Sequence, residues 1–356
     1  MVFYGGGFIQ GSASFTLPPP AYPVLNVSAA SDVVFIYPNY RVNAFGFLPG
    51  REIVEDPHSD TNAGLLDQRA AIRWANRYAV HFGGDPDRIG IWGQSAGGGS
   101  VVAQVIADPD FDAAAPRGAG TGARFRTALA SSPFWPRTYG AASPEAQWIY
   151  DTVANRTGCA GGGGSSGGSL ACLKRADVQA IRDASLFVAG AHRYGTSSYT
   201  WAPVLDGRFL PRSLVEATAG AEKRVNIEAG FAMYNTHEGE NFTPAGLGTE
   251  EAYDAWLAGF LPGLSVDDVA EVKRAYPVVG STETMGYNSS ATAAGLVYRD
   301  VVLACPAYWI AGAATKGSWL GEYTIAPAKH ASDVYWVRNP SELWCLCTLE
   351  TETEEY

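Results

Sequence analysis

The run Gly93-Gln94-Ser95-Ala96-Gly97 constrains this chain more than any other segment, because of what stands on either side of it. Ile89-Gly90-Ile91-Trp92 before it is short and mostly apolar, as a buried strand is, and residues 96–107 after it are long and apolar enough for a helix. Small residues around a serine at such a junction permit a strained strand-to-helix turn, which lifts the hydroxyl above the sheet edge. Five residues alone would fit a glycine-rich helix start equally well. The strand before and the helix after select the turn.

The same alternation runs along most of the chain. Residues 2–4 read as the end of a strand and residues 32–37 as a mostly apolar strand. Residues 62–79 carry Leu66, Ala70 and Trp74 four apart, with Leu65 and Ile72 seven apart, which is helical spacing. Strands are expected at 88–93, 126–131, 224–234 and 319–325, and helices at 169–184, 210–217, 250–261, 266–276 and, long and amphipathic, 291–314. This order predicts an α/β fold with a mainly parallel sheet flanked by helices. There is no internal repeat and no clean linker, so residues 1–340 read as a single domain and 341–356 as an atypical acidic tail.

Composition narrows the function classes. At 356 residues and 47% hydrophobic, the chain can bury a large core. A net charge of -11, from 25 basic against 36 acidic residues, disfavours nucleic acid or an anionic membrane as partner. An uncharged or cationic small molecule fits better. No apolar run approaches the roughly 20 residues of a transmembrane helix. Cys159 and Cys172 bracket a Gly/Ser tract at a spacing suited to a local disulfide, and Asn26, Asn155, Asn241 and Asn288 each begin an N-x-S/T sequon. Both features point to secretion. Met1-Val2-Phe3-Tyr4 has no basic or apolar leader region, so a secreted chain would have lost its signal peptide with its N-terminus; the other reading is a cytosolic chain.

From Phe82-Gly83-Gly84-Asp85-Pro86 through Ile89, Ile91 and Gly93 to Gly97, the sequence fits every defined position of the active-site signature of the type-B carboxylesterase and lipase family, which includes the cholinesterases. It resembles that family from residue 1 to about residue 337, with further agreement in Asn39-Tyr40-Arg41, Asn62-Ala63-Gly64-Leu65-Leu66-Asp67-Gln68, Pro203-Val204-Leu205-Asp206-Gly207 and the cysteine pair. The resemblance implies an α/β-hydrolase fold and a serine hydrolase that cleaves carboxylic esters through an acyl-enzyme on Ser95. The implied substrate is a small-molecule ester with apolar groups, and no metal or cofactor is called for. Gln94 departs from the Glu that many relatives carry beside the nucleophile, which should change pocket electrostatics more than the chemistry.

Tyr4-Gly5-Gly6-Gly7-Phe8 has the form of a strand end followed by glycines that let backbone approach a ligand. The family usually has His-Gly-Gly-Gly there, and its oxyanion-hole donors carry over to the N–H groups of Gly6, Gly7 and Ala96. Chain order in this fold is nucleophile, acid, histidine. His58 and His81 precede Ser95, and His192 and His237 precede the best acid, which leaves His330 on the loop 327–333. Glu238 lies after an apolar strand in the Asn-x-x-Glu-Gly setting of the family's acid; Asp206 and Glu240 are its rivals. Ser132 aligns with a family serine that contacts the histidine, and Ser131 could take that place. Trp74, Trp201 and Tyr234 could line a pocket, although aromatic residues more often belong to the core.

Relatives have a long stretch before the glycine run, with the first strands and a Cys-bearing loop, and continue into helices after the histidine. This chain instead ends in Ser341-Glu342-Leu343-Trp344-Cys345-Leu346-Cys347 and acidic residues, and the C-x-C has no further metal ligand nearby. The expectation is a chain incomplete at both ends, lacking the first strands and C-terminal helices. Residues 32–37 would then lie at the sheet edge, with no charge in the run Val33-Val34-Phe35-Ile36-Tyr37 to block pairing, and the isolated chain should aggregate. The alternatives to an ester hydrolase are a catalytically impaired truncated relative and a non-enzymatic cholinesterase-like binding or adhesion protein. Adhesion relatives generally lose the nucleophile, which is present here.

Overall fold

Among the described residues, five strands form one sheet in the order in which they occur in the chain: β1 (Val2–Phe3), β2 (Gly90–Gln94), β3 (Thr127–Ser131), β4 (Ala229–Asn235) and β5 (Gly317–Tyr323). The structure is a computed structural model that describes residues 1–14, 21–28, 32–108, 111, 124–162, 167–190, 201–219, 227–277 and 289–334. Every ladder is parallel, with Val2 opposite Trp92, Gln94 opposite Ser131, Ser131 opposite Met233 and Asn235 opposite Tyr323. Parallel neighbours require crossovers, which put helices on the sheet faces. They also bring all the C-terminal strand ends to one edge, where ligands of such sheets bind.

The helix Ala96–Ile106 is buried along its whole length, which fits a sequence of glycine, alanine, valine and isoleucine broken only by Ser100 and Gln104. Helix Ala63–Tyr78 buries Leu65 and Ile72, the pair seven apart in the sequence, together with Ala75, whereas Ala70 and Trp74 of the four-apart set are exposed. Leu65, Ile72 and Ala75 join Phe3, Tyr4, Phe8, Phe47 and Trp201 in the principal core. Trp201 is therefore core, its indole N–H donating to Ser185 O at 3.0 Å, whereas Trp74 is exposed.

Several elements depart from the sequence expectation, among them the helix expected over 210–217, which is Leu214–Ala219. Residues 32–37 form no ladder, although Val2 N–H donates to Ile36 O at 2.8 Å. Val33 and Val34 stay exposed. The helix expected over 169–184 is two, Gly168–Leu173 and Val178–Gly190, because the Asp177 carboxylate caps the second by accepting from the N–H of Gln179 at 2.9 Å. The rod expected over 291–314 is helical from Ser290 to Ala311 but widens to a π-turn at Asp300–Ala304. Pro306 has no N–H to give back along the helix, so the regular ladder cannot pass it.

Cys159 and Cys172 are joined as a disulfide across 13 positions. The helix Pro144–Arg156, which the hydrophobic pattern did not announce, starts at Ser143, whose hydroxyl accepts from Ala146 N–H, with Pro144 in its first turn. No described helix is long and apolar enough to cross a membrane. The tail 341–356 lies outside the described residues.

Candidate active site

Ser95 sits between the end of β2 and the first turn of helix Ala96–Ile106, with φ 58° and ψ -126°. That conformation is costly for a residue with a Cβ and persists only where surrounding structure enforces it. Here Ser95 N–H donates to Ser131 O at 3.0 Å, while Ser95 O accepts from Gly99 N–H at 2.9 Å and Phe134 N–H at 3.0 Å. Gly97 is required on packing grounds, because a Cβ there would stand 2.1 Å from Phe3 O. The spacing read from the sequence thus has a steric cause.

The imidazole of His330 stands between Ser95 and Glu238, its Nε2 2.9 Å from Ser95 Oγ and its Nδ1 2.8 Å from Glu238 Oε2. An ionised carboxylate can only accept, so Nδ1 carries the proton, and Nε2 of the neutral ring is left to accept from the serine hydroxyl. The Glu238 side chain is fully buried and also accepts from Asn235 N–H at 3.1 Å and Asn235 Nδ2 at 3.3 Å. The ring of Phe242 meets His330 edge-on, 4.8 Å between centroids. The histidine's own N–H donates to Asn241 Oδ1 at 3.2 Å, and His237 N–H donates to Ala328 O at 2.9 Å, which ties the two loops together. A Lys329–Glu240 ion pair adds a third tie.

Backbone around the site is held in unusual shapes. Ser95, Ser132, Ala328 and Ala331 all have positive φ without being glycine, which concentrates strain beside the imidazole. Gly6 and Gly7 have φ of 118° and 63°, and among the described residues neither N–H donates within the protein. Ala96 opens its helix, so its N–H has no partner inside the helix. Gly6, Gly7, Ser95 and His330 line one cavity of about 350 Å³, whose apolar walls include Ile9, Phe134 and Phe242.

Gln94 is buried, with its Nε2 3.4 Å from His330 Nε2, on the side of the ring that faces the serine. The hydroxyl of Ser132 accepts from Asn235 Nδ2 at 3.0 Å, and Asn235 in turn bonds Glu238. Ser131 Oγ donates to the buried carboxylate of Asp333, which also accepts from Asn235 at 3.1 Å. Asn235 was not singled out from the sequence as a site residue. It ends β4 three positions before Glu238, but its contacts with Ser132 and Asp333 span about a hundred positions or more and leave no local signal. Asp206, a rival acid, is engaged elsewhere with Asn62 Nδ2 at 2.8 Å. No group of three or more His, Cys, Asp or Glu that could hold a metal occurs among the described residues.

The model of the carboxylesterase family matches residues 1–324. Carboxylesterase patB of Aspergillus clavatus is 28% identical over 334 residues, covering 92% of this chain and 55% of that protein. Secreted triacylglycerol lipase LIP1 of Gibberella zeae is 35% identical over 215 residues, covering 59% of this chain and 34% of the relative. Among solved structures, Aspergillus niger EstA superposes with a TM-score of 0.71 at 27% identity, covering 90% of this chain and 58% of that one. The chain spans about half the length of the first curated relatives it matches, 55% in each case.

Proposed function

This chain belongs to the carboxylesterase family and has the α/β-hydrolase fold, and from that premise we propose that it hydrolyses carboxylic esters through an acyl-enzyme on Ser95. The observation that carries the reading is the continuous relay from Ser95 Oγ to His330 Nε2 at 2.9 Å and from Nδ1 to Glu238 at 2.8 Å. In the first half-reaction Ser95 Oγ attacks the ester carbonyl carbon as its proton passes to Nε2. Glu238 stabilises the imidazolium and fixes the tautomer. The carbonyl oxygen becomes an oxyanion held by the N–H groups of Gly6, Gly7 and Ala96, each such donor worth a few kcal/mol in comparable sites. Collapse expels the alcohol, which takes the proton from Nε2. Water then repeats the sequence and releases the acid.

Ile9, Phe134 and Phe242 around the cavity favour an ester with an apolar acyl or alcohol group, and the chemistry calls for no cofactor. With Gln94 in place of Glu, no carboxylate lies beside the serine to attract a cationic ester, so neutral esters are the preferred class. An extracellular location is supported by the Cys159–Cys172 disulfide and by relatives named as secreted lipases. The test is labelling by an organophosphonate together with turnover of a short p-nitrophenyl ester. Both should occur in the wild-type chain, label Ser95, and disappear in Ser95→Ala; hydrolysis that survives Ser95→Ala would rule the mechanism out.

A further inference from the structure

Two sequence features that resemble the family, Asn39-Tyr40-Arg41 and the segment ending at Gln68, have no part in the relay, yet Tyr40 bonds the backbone just before the glycine turn and Gln68 bonds Ser100 in the helix that Ala96 opens. Tyr40 and Tyr4 are buried and stacked, 4.1 Å between ring centroids and 11° from parallel. Each hydroxyl bonds the other residue's backbone: Tyr40 Oη donates to Tyr4 O at 2.6 Å, and Tyr4 Oη donates to Tyr40 O. The Tyr4 carbonyl immediately precedes the glycine turn. On the opposite wall, Ser100 Oγ donates to Ala96 O at 2.8 Å and accepts from Gln68 Nε2 at 2.8 Å. Tyr40 thus holds the backbone of the glycine wall, and Ser100 that of the helix wall. The walls are in close contact: a Cβ on Gly97 would stand 3.0 Å from Tyr4 O.

Gln68, Ser100 and Gln104 are wholly buried, and Gln104 Nε2 donates to Gln68 Oε1 at 3.3 Å. A core that needed only stability would be filled more cheaply by apolar groups, since net gains per hydrogen bond are about 1 kcal/mol and any member left unpaired costs more. What such a network does supply is direction, because a hydrogen bond fixes the distance and angle of a backbone segment that apolar packing leaves adjustable.

We propose that the Tyr40 hydroxyl, with Ser100, is a positioning group for the oxyanion hole, setting the gap between the Gly6–Gly7 donors and the Ala96 donor. The inference rests on the ester-hydrolase reading above. It requires that loss of the hydroxyl weaken transition-state stabilisation while substrate binding and histidine titration stay as they were.

Tyr40→Phe keeps the ring stack and removes one oxygen; Ser100→Ala removes the link to Ala96 O. Each is assayed with a p-nitrophenyl ester, with rates counted per site titrated by an organophosphonate, so that unfolded protein does not count. The expected result is a kcat lowered about tenfold, KM within about twofold, and an unchanged midpoint in the pH profile of kcat/KM. In the double variant the losses should not simply add, because both groups fix the same gap between two walls in contact. An unchanged kcat per titrated site, or a shifted pH midpoint that locates the damage at His330, would overturn the proposal. If Tyr40→Phe does not fold, Ser100→Ala decides by the same criteria. Hydrolysis surviving in a parallel Ser95→Ala sample would sink the hydrolase reading and this inference with it, whereas an inert Ser95→Ala beside an unimpaired Tyr40→Phe sinks the inference alone.

Discussion

At the scale of single residues, the candidate site depends on groups kept in conformations they would not adopt alone. Ser95 at φ 58° presents its hydroxyl because Ser131, Gly99 and Phe134 hold its backbone on three sides. Glu238 is buried without a cation and relies on Asn235 and the imidazole for its hydrogen bonds. Glu238→Gln should therefore lower kcat by on the order of 10⁴-fold, since an amide opposite Nδ1 no longer fixes the tautomer, with little change in KM. A loss below about tenfold in steady-state kinetics would remove Glu238 from that role. Asn235→Ala should lower kcat as well, and also stability by about 1–3 kcal/mol, because it strips donors from two buried carboxylates. Ser95 and its glycines were legible in the sequence because the constraint is local: five adjacent residues must make one turn. His330 and Glu238 were reached by chain order together with family resemblance. Tyr40 stood out only as part of a family match with no role attached, and Ser100 and Asn235 not at all, since Gln68 lies 32 positions from Ser100 and Ser132 and Asp333 lie 103 and 98 from Asn235.

At the scale of elements, the strands and helices that could be read were those whose pattern owed little to tertiary context. The buried strand before Ser95 and helix Ala63–Tyr78 fall within two residues of the ranges expected for them. Helix Pro144–Arg156 was overlooked, although Ser143-Pro144-Glu145 is a helix-start signal in capping residue, first-turn proline and early acid alike. Residues 32–37 looked like a strand because β-branched and aromatic residues crowd there, but strand formation needs partners, and these residues form no ladder. Their exposed Val33 and Val34 predict self-association. Val34→Lys should shift light-scattering size toward monomer while leaving ester turnover per site unchanged; equal association in both proteins would show that this edge is not responsible. The Cys159–Cys172 bridge closes a short loop beside helix Gly168–Leu173. Its replacement by serines should lower stability by about 3 kcal/mol in denaturant melts, without changing kcat.

At the scale of the whole molecule, five parallel strands in chain order leave every C-terminal end on one edge, and the glycine turn, Ser95, Glu238 and His330 all lie just beyond those ends. The sheet is thus what makes four separated stretches of sequence into one site. The polar network behind that edge also sets a limit on pH. Burial raises the phenols of Tyr4 and Tyr40 above the ordinary tyrosine range, so the folded chain keeps them neutral where the unfolded chain ionises them. Above about pH 10 the unfolded state then binds fewer protons than the native state, and stability falls as pH rises. Melting temperature should drop between pH 9.5 and pH 11, roughly, and drop less in Tyr40→Phe. The claim on which all of this converges is that Ser95 becomes acylated. Rapid mixing with a p-nitrophenyl ester, followed by acid quench and peptide mass analysis, tests it most directly. The predicted result is a burst of p-nitrophenol no larger than one equivalent per site, with the acyl group on the peptide containing Ser95. Turnover in Ser95→Ala, or an acyl group found on another residue, would contradict it.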